Sequence, residues 1–420
     1  MLWFFVGWVV LLLLSVPITF SVLIVSISYL LINGGLAMAA QRMVAGVNSF
    51  TLLAVPFFIF SGNLMNATGI TTRIFRFAKA MVGHIPGGLG HVNILASLLF
   101  SGMSGSAHAD AGGLGKIEIQ AMREEGYDDG FAGALTSASS IVGPLMPPSI
   151  PMVIYGSVAS VSVGRLFIGG IIPAFLASLS LMVLVFFIAR KRKYAVYART
   201  NLREKGTAFV LAFPALVTPV IIIGGIFSGV FTPTEAAAVT SFYALFLGMF
   251  VYRTFTMKKL WEVLRDTLNS TAEIGFIIAA ISLMGFVLAR EQIPQQIAQF
   301  FITYTSHPIV FLLAVNVMLL LLGTVVETLA TLLLVVPILV PVATALGISP
   351  VHFGVVVVMN MMIGILTPPM GVSLFVVAKV GNIPFGTLAR AIIPFLVPLF
   401  VVLMLLIFFP QLVLFLPSLM

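Results

Sequence analysis

Adjacent prolines in the middle of an apolar run most constrain what this chain can become. Gly364–Gly371 reads G-I-L-T-P-P-M-G, within an apolar stretch from about Val351 to Val380. Pro368 and Pro369 remove two backbone donors, and their rings clash with the preceding turn. In lipid the carbonyls so freed are costly, and irregular backbone at that depth survives only inside protein or against a wet cavity. A second break lies upstream. Gly143–Pro148 reads G-P-L-M-P-P inside another apolar run, and Pro147 precedes Pro368 by 221 positions (368 − 147).

The offset recurs. Asn48-Ser49 answers Asn269-Ser270, Gly102 answers Gly323, and Ile171-Ile172-Pro173 answers Ile392-Ile393-Pro394. Two halves with a broken membrane helix at the same place are the pattern of a secondary transporter. Composition agrees. With 60% hydrophobic and 8% charged residues, the chain holds several runs longer than the roughly 20 apolar residues that span a bilayer. The net charge of +8 sits in short loops and reads as membrane orientation, not nucleic-acid binding. The absence of cysteine excludes disulfides, thiolate catalysis and Cys-ligated metals. No HExxH, GxSxG or Walker A pattern occurs, so no enzyme is expected.

The expected fold is an all-α polytopic membrane protein. It is an inverted repeat with two re-entrant helical hairpins, two broken helices and nine or ten full crossings. Residues 1–190 form the first repeat, with its hairpin at 91–121 and its broken helix at 130–161. A basic linker occupies 191–206. Residues 207–420 form the second repeat, with its hairpin at 308–346 and its broken helix at 351–380. Residues 2–31 lack the basic segment of a cleavable signal and form one kinked span or two short ones. Further spans fall at 50–66, 165–189, 208–230, 233–252, 270–289 and 385–409. Residues 35–48, 71–83, 257–269 and 291–307 read as interfacial, with Arg73, Arg76 and Lys79 on the second of these. Arg190, Lys191, Arg192, Lys193, Arg199, Arg203 and Lys205 face one acid, Glu204, so the linker is cytoplasmic. No Lys or Arg occurs between Arg290 and Lys379, which fits outer loops.

Each hairpin keeps its small or polar residues at mid-length, in Phe100–Asp110 and in Leu322–Thr331. Such a tip exposes N–H groups to anions and carbonyls to cations. Small-residue helix packing and a plain proline kink are the alternatives, and duplication at a constant offset argues against both. His108 and Asp110 read equally as structural residues or as ligands. Glu235 reads as a first-turn carboxylate and Glu273 as a scaffold residue. Glu327, the only acid after Glu291, either tunes an ion site or caps the second limb.

The chain resembles the large membrane subunit of tripartite ATP-independent periplasmic (TRAP) transporters over nearly its whole length. The likeness rests on Phe57–Asn66, His91–Asp110, Glu125–Thr136, Gly143–Pro151, Gly229–Ala238, Pro350–Gly354 and Thr367–Phe375. The second tip, V-V-E-T, departs from the commoner acid-Pro pairing. The resemblance implies an elevator fold like that of the ion transporter superfamily, importing an organic acid with Na+ across the bacterial inner membrane. It also implies a small four-helix membrane subunit and a periplasmic substrate-binding protein as partners. The implied sodium ligands are Ser101, Gly102, Ser104, Gly143, Met146 and Pro147 in the first half, and Gly323, Thr324, Glu327, Gly364, Thr367 and Pro368 in the second. The implied substrate residues are Ser106, Asp110, Ser149, Thr328, Met370 and Gly371. A stand-alone dicarboxylate carrier of the same superfamily and, less well, an ion channel are the other readings.

Overall fold

The computed structural model describes residues 2–14, 16–194, 196–304, 307–324 and 326–420. Thr305 and Ser306, at the end of the last interfacial segment, and Val325, in the second tip, lie outside the described residues. The described chain is helical. The first half runs α1 (Leu2–Leu13), α2 (Ile18–Asn33), α3 (Ala39–Val47), α4 (Ala54–Ala67), α5 (Ile70–Val82), α6 (Gly88–Ser104), α7 (Ala107–Glu124), α8 (Asp129–Ser140), α9 (Ile150–Ala159) and α10 (Val163–Arg192). The second runs α11 (Leu202–Phe227), α12 (Pro233–Phe246), α13 (Met257–Arg290), α14 (Ile293–Tyr304), α15 (Pro308–Gly323), α16 (Thr328–Ala345), α17 (Pro350–Gly364), α18 (Val372–Gly381), α19 (Phe385–Ala391) and α20 (Ile393–Phe408).

The helices repeat as the prolines do. Ala107–Glu124 and Thr328–Ala345 are offset by 221 at both ends (328 − 107, 345 − 124). The helices α6 and α7 form one hairpin, α15 and α16 the other, and each is followed by a helix broken at its prolines. Both Pro-Pro peptide bonds are cis. The second limb of each broken helix crosses to the other repeat: α9 packs on α16, and α18 packs on α7. Reciprocal contacts of this kind are what a two-fold relation produces.

One expectation is revised and another is decided between its alternatives. Residues 2–31, read as one kinked span or two short ones, form two short helices. Pro17 separates α1 from α2, and α1 folds back so that Phe4 packs edge-on against Tyr29, 6.0 Å between ring centroids. Residues 257–289 are not an interfacial segment plus a span but one helix of 34 residues, about 51 Å long at roughly 1.5 Å per residue. Its counterpart in the first half, 36–67, bends by 61° between Val47 and Thr51. The difference follows from Pro56, which can occupy only the first turn of α4, whereas α13 contains no proline. Finally, five helices among the described residues are long and apolar enough to cross a membrane, or seven if each bent pair counts once. Single helices alone therefore do not supply nine or ten crossings, because the broken spans are assembled from half-helices.

Buried polar pairs fasten each hairpin to its broken helix. In the first half Asn93 donates to Glu118 and to Thr136, both at 2.8 Å, and accepts from Ser139 at 2.7 Å. In the second, the Asn360 amide donates to the Asn316 side-chain oxygen at 2.6 Å and to its carbonyl at 2.9 Å. Such networks hold helices rigidly, because losing one partner strands the other in a low-dielectric interior. A second body lies alongside. There α13 packs on α2, α3 and α4, and α12 packs on α4, with Ser241 donating to the Phe57 carbonyl at 2.8 Å.

The linker is docked. Arg192 pairs with Asp128, Tyr194 donates to the same carboxylate at 2.7 Å, and its ring stacks on Tyr127 at 4.0 Å. Partial burial raises the Asp128 carboxyl, but the Tyr194 hydroxyl, the Phe131 N–H and the Arg192 guanidinium together hold it below its ordinary value.

At the second tip two helices meet backbone to backbone. A Cβ on Gly364 would sit 3.1 Å from the Gly323 Cα, a backbone atom that cannot swing aside. Gly364→Val should therefore destabilise the purified protein by about 1–3 kcal/mol, the usual range for overpacking, seen as a lower midpoint in thermal unfolding. Gly275→Ala, where an added Cβ meets nothing within 4 Å, should leave the midpoint unchanged.

Candidate functional site

Both tips and both breaks meet at one cavity of about 530 Å³. Ser104 to Ala109 come from the first tip, and Pro144, Ile150 and Pro151 from the first break. Glu327 to Leu329 come from the second tip, and Met362, Ile365 and Val372 from the second break. The opposite wall belongs to the other body. It comprises Ile59, Gly62 and Asn63 of α4, and Ser270, Glu273, Ile274 and Ile277 of α13. The α13 residues are spaced i, i+3, i+4 and i+7, so one helical face covers the cavity.

Four helices begin at this wall: α7, α9, α16 and α18. Three carry side-chain caps. Ser106 accepts from the Ala109 N–H at 3.3 Å, Ser149 from Met152 at 3.2 Å and Glu327 from Ala330 at 2.9 Å. Each cap binds one of the free donors of its first turn and leaves the rest. The positive ends of four helices thus converge, and no Lys or Arg is among the described lining residues. The charged side chains of the wall are Glu273 and Glu327, with His108 beside them; His108 and Glu327 both feel the field of Glu273.

Tip and break meet through backbone in each half. Gly105 closes the first tip with φ +62°, and its carbonyl accepts from the Ile150 N–H at 3.4 Å. A Cβ on Gly102 would come 3.8 Å from the Pro147 carbonyl oxygen, and one on Gly143 would come 3.5 Å from the Ser106 carbonyl carbon. Ser101 spends its hydroxyl on the Ser97 carbonyl at 2.5 Å. Ser104 Oγ and, in the second half, Thr328 Oγ1 are buried without a hydrogen-bond partner in the protein. In the second half the contact is Gly323 against Gly364, while Thr324 and Thr367 donate to the Leu321 and Ile363 carbonyls, both at 2.8 Å. Among the described residues no cluster of three or more His, Asp or Glu could hold a metal. A cation at either tip would rest on carbonyl and hydroxyl oxygens, which suits a hard monovalent ion. The two orphaned hydroxyls fit that requirement.

Of the residues expected to touch substrate, Ser106 and Thr328 line the cavity and the others do not. Asp110 is buried, turned toward Ser97 behind the tip. Ser149 stands one residue behind the wall, its hydroxyl bound to the Pro144 carbonyl. Met370 is 45% exposed outside the cavity, because the chain turns outward after the prolines before Gly371, at φ +50°, starts α18. Glu327 caps α16 and faces the cavity as well, so both readings of it have a geometric basis. From sequence the far wall was not read as part of the site, and Glu273 was read as a scaffold residue. Ser270 stood within the repeated Asn-Ser pair, and its spacing to Glu273 and Ile277 was the available signal.

The comparisons follow the same outline. Residues 5–412 match the family model described as the DctM component of the tripartite ATP-independent periplasmic transporter. The chain is 56% identical over 415 residues to the sialic acid TRAP transporter large permease protein SiaM of Vibrio cholerae, covering 98% of this chain and 97% of that one. It is 46% identical to the sialic acid TRAP transporter permease protein SiaT of Haemophilus influenzae, covering 98% and 67%. It is 42% identical to the C4-dicarboxylate TRAP transporter large permease protein DctM of Pseudomonas aeruginosa, covering 88% and 86%. In fold it is similar to the YdaH transporter of Alcanivorax borkumensis, with TM-score 0.65 at 14% identity over 89% and 87% of the two chains. Family model and relatives agree along almost the entire length, and the chain belongs to the DctM family of TRAP transporter large permeases.

Proposed function

We propose that the chain is the transport subunit of a sodium-coupled importer of sialic acid or a closely similar sugar acid. The convergence of four helix N-termini on a cavity without Lys or Arg carries this reading. A carboxylate seated there is received by backbone N–H groups. Glu273 and Glu327 then discriminate. A second negative charge roughly 5 Å from a carboxylate costs about 3 kcal/mol at an effective dielectric of ~20, whereas hydroxyl groups gain acceptors. That favours a polyhydroxylated monoanion over a dicarboxylate, in line with the names of the relatives at 56% and 46% identity. Sodium at the tip and break oxygens offsets the remaining negative charge.

The relatives' designation as large permease proteins supports a three-part system over a stand-alone carrier. A small four-helix membrane subunit and a periplasmic binding protein are the partners, and the bacterial inner membrane is the location. The hairpins enter and leave by one face. The body built from the hairpins and broken helices carries the cavity past the α2–α4 and α11–α13 body, as an elevator. Packing of α10 against α6, α17 and α20 supports counting α10 and α20 with that body.

Three outcomes test this. Uptake into proteoliposomes with the cognate binding protein should require an inward sodium gradient; equal uptake with potassium on both sides would sink the coupling. Ser49 and Ser157 lie on opposite bodies with hydroxyls 3.1 Å apart, so oxidising Ser49→Cys/Ser157→Cys should abolish uptake, and reductant should restore it. Retained transport in the crosslinked protein would refute the elevator. Glu327→Gln keeps a capping acceptor but removes the charge, so half-maximal sodium should rise several-fold while the thermal midpoint stays close to wild type. An unchanged sodium titration would exclude Glu327 from the ion site.

A further inference from the structure

A second cavity, of about 510 Å³, lies where α5, the linker and the start of α11 meet. Its wall carries Arg76 and Lys79 from α5, Tyr197 and Thr200 from the linker, and Arg203 from α11, against one acid, Glu204. None of the three cations has an ion-pair partner among the described residues, where the salt bridges are Arg123–Asp129 and Arg192–Asp128. The wall is nevertheless fixed. The Lys79 ammonium sits 3.9 Å over the Tyr197 ring. Tyr197 donates its hydroxyl to Glu125 at 2.5 Å and its N–H to the Gly83 carbonyl at 3.3 Å.

Farther along α11 the surface is apolar. The rings of Phe77, Phe209 and Phe213 form a continuous row, with centroids 5.8 Å and 5.5 Å apart. Phe209 and Phe213 are 44% and 51% exposed, on a helix of 26 residues that is apolar enough to cross a membrane. Arg203 precedes them by six and ten residues, about 9 and 15 Å along the axis. Guanidinium and ammonium groups without ion-pair partners, at the end of a helix that presents exposed aromatic rings along its apolar length, match a phosphodiester headgroup joined to an acyl chain. Guanidinium suits the phosphate through bidentate hydrogen bonds, and basic pockets between membrane helices hold anionic headgroups.

We propose that this pocket binds an anionic phospholipid, with its phosphate between Arg76, Lys79 and Arg203. The bound lipid ties the linker to α5, so the connection between the two halves is held at the membrane surface.

The test uses the full-length chain in detergent micelles, titrated with dioctanoyl phosphatidylglycerol. Arg76→Gln/Lys79→Gln/Arg203→Gln should weaken binding by on the order of a hundredfold, since each basic group near the headgroup contributes several-fold. Lys258→Gln/Lys259→Gln, another basic pair outside this pocket, should leave it unchanged. Arg76 and Arg203 are exposed, and their single Gln variants, which disturb packing least, should each show part of the loss. Equal affinity of wild type and triple variant would overturn the proposal. So would equally tight binding of glycerol phosphate or of inorganic phosphate, which would mark a soluble-anion site, or equal binding of dioctanoyl phosphatidylcholine.

Discussion

Everything in this molecule answers one physical problem, which is how to leave backbone polar groups unpaired inside a membrane protein. A Pro-Pro pair frees carbonyls and removes donors at the centre of an apolar run. The fold meets each break with the tip of a hairpin, where another helix pair also ends. Gly105 and Ile150 make the joint in the first half, Gly323 and Gly364 in the second. Glycine is required in the second joint because backbone touches backbone there. Four helices begin at the cavity wall, so the first-turn N–H groups that a helix start leaves free lie beside it.

Reciprocal packing turns two such joints into one body. Because α9 rests on α16 and α18 on α7, neither repeat can shift its half of the site without the other. The amide networks around Asn93 and around Asn316–Asn360 add directional ties at corresponding depths. The α13 wall is different in kind. It is one uninterrupted helix of 34 residues that presents Ser270 and Glu273 to the cavity.

Charge is partitioned accordingly. At the cavity the positive partial charges are those of helix N-termini, whereas guanidinium and ammonium groups collect at the linker and at the foot of α5 and α11. The linker side chains form a surface network in which Asp128 holds both Arg192 and Tyr194, and in which Tyr197 connects Glu125 with Lys79.

Much of the architecture was legible in the sequence because proline and glycine act locally. A Pro-Pro pair breaks a helix whatever surrounds it, and a repeat at a constant offset survives any arrangement in space. The two breaks and the first-turn carboxylate Glu235 follow from such local rules. What the sequence left open depended on direction. Periodicity places Asp110 and Met370 near a tip and a break, but not which way they point, and both turn away from the cavity. It marks residues 2–31 as apolar without saying that α1 folds back on α2. Glu273, some 50 positions from the second-half tip and more than 90 from the second break in the chain, reaches the site only because α13 crosses its face. A side chain's spacing is set by its own helix, while its neighbours are set by packing between helices, and that the tertiary structure alone decided.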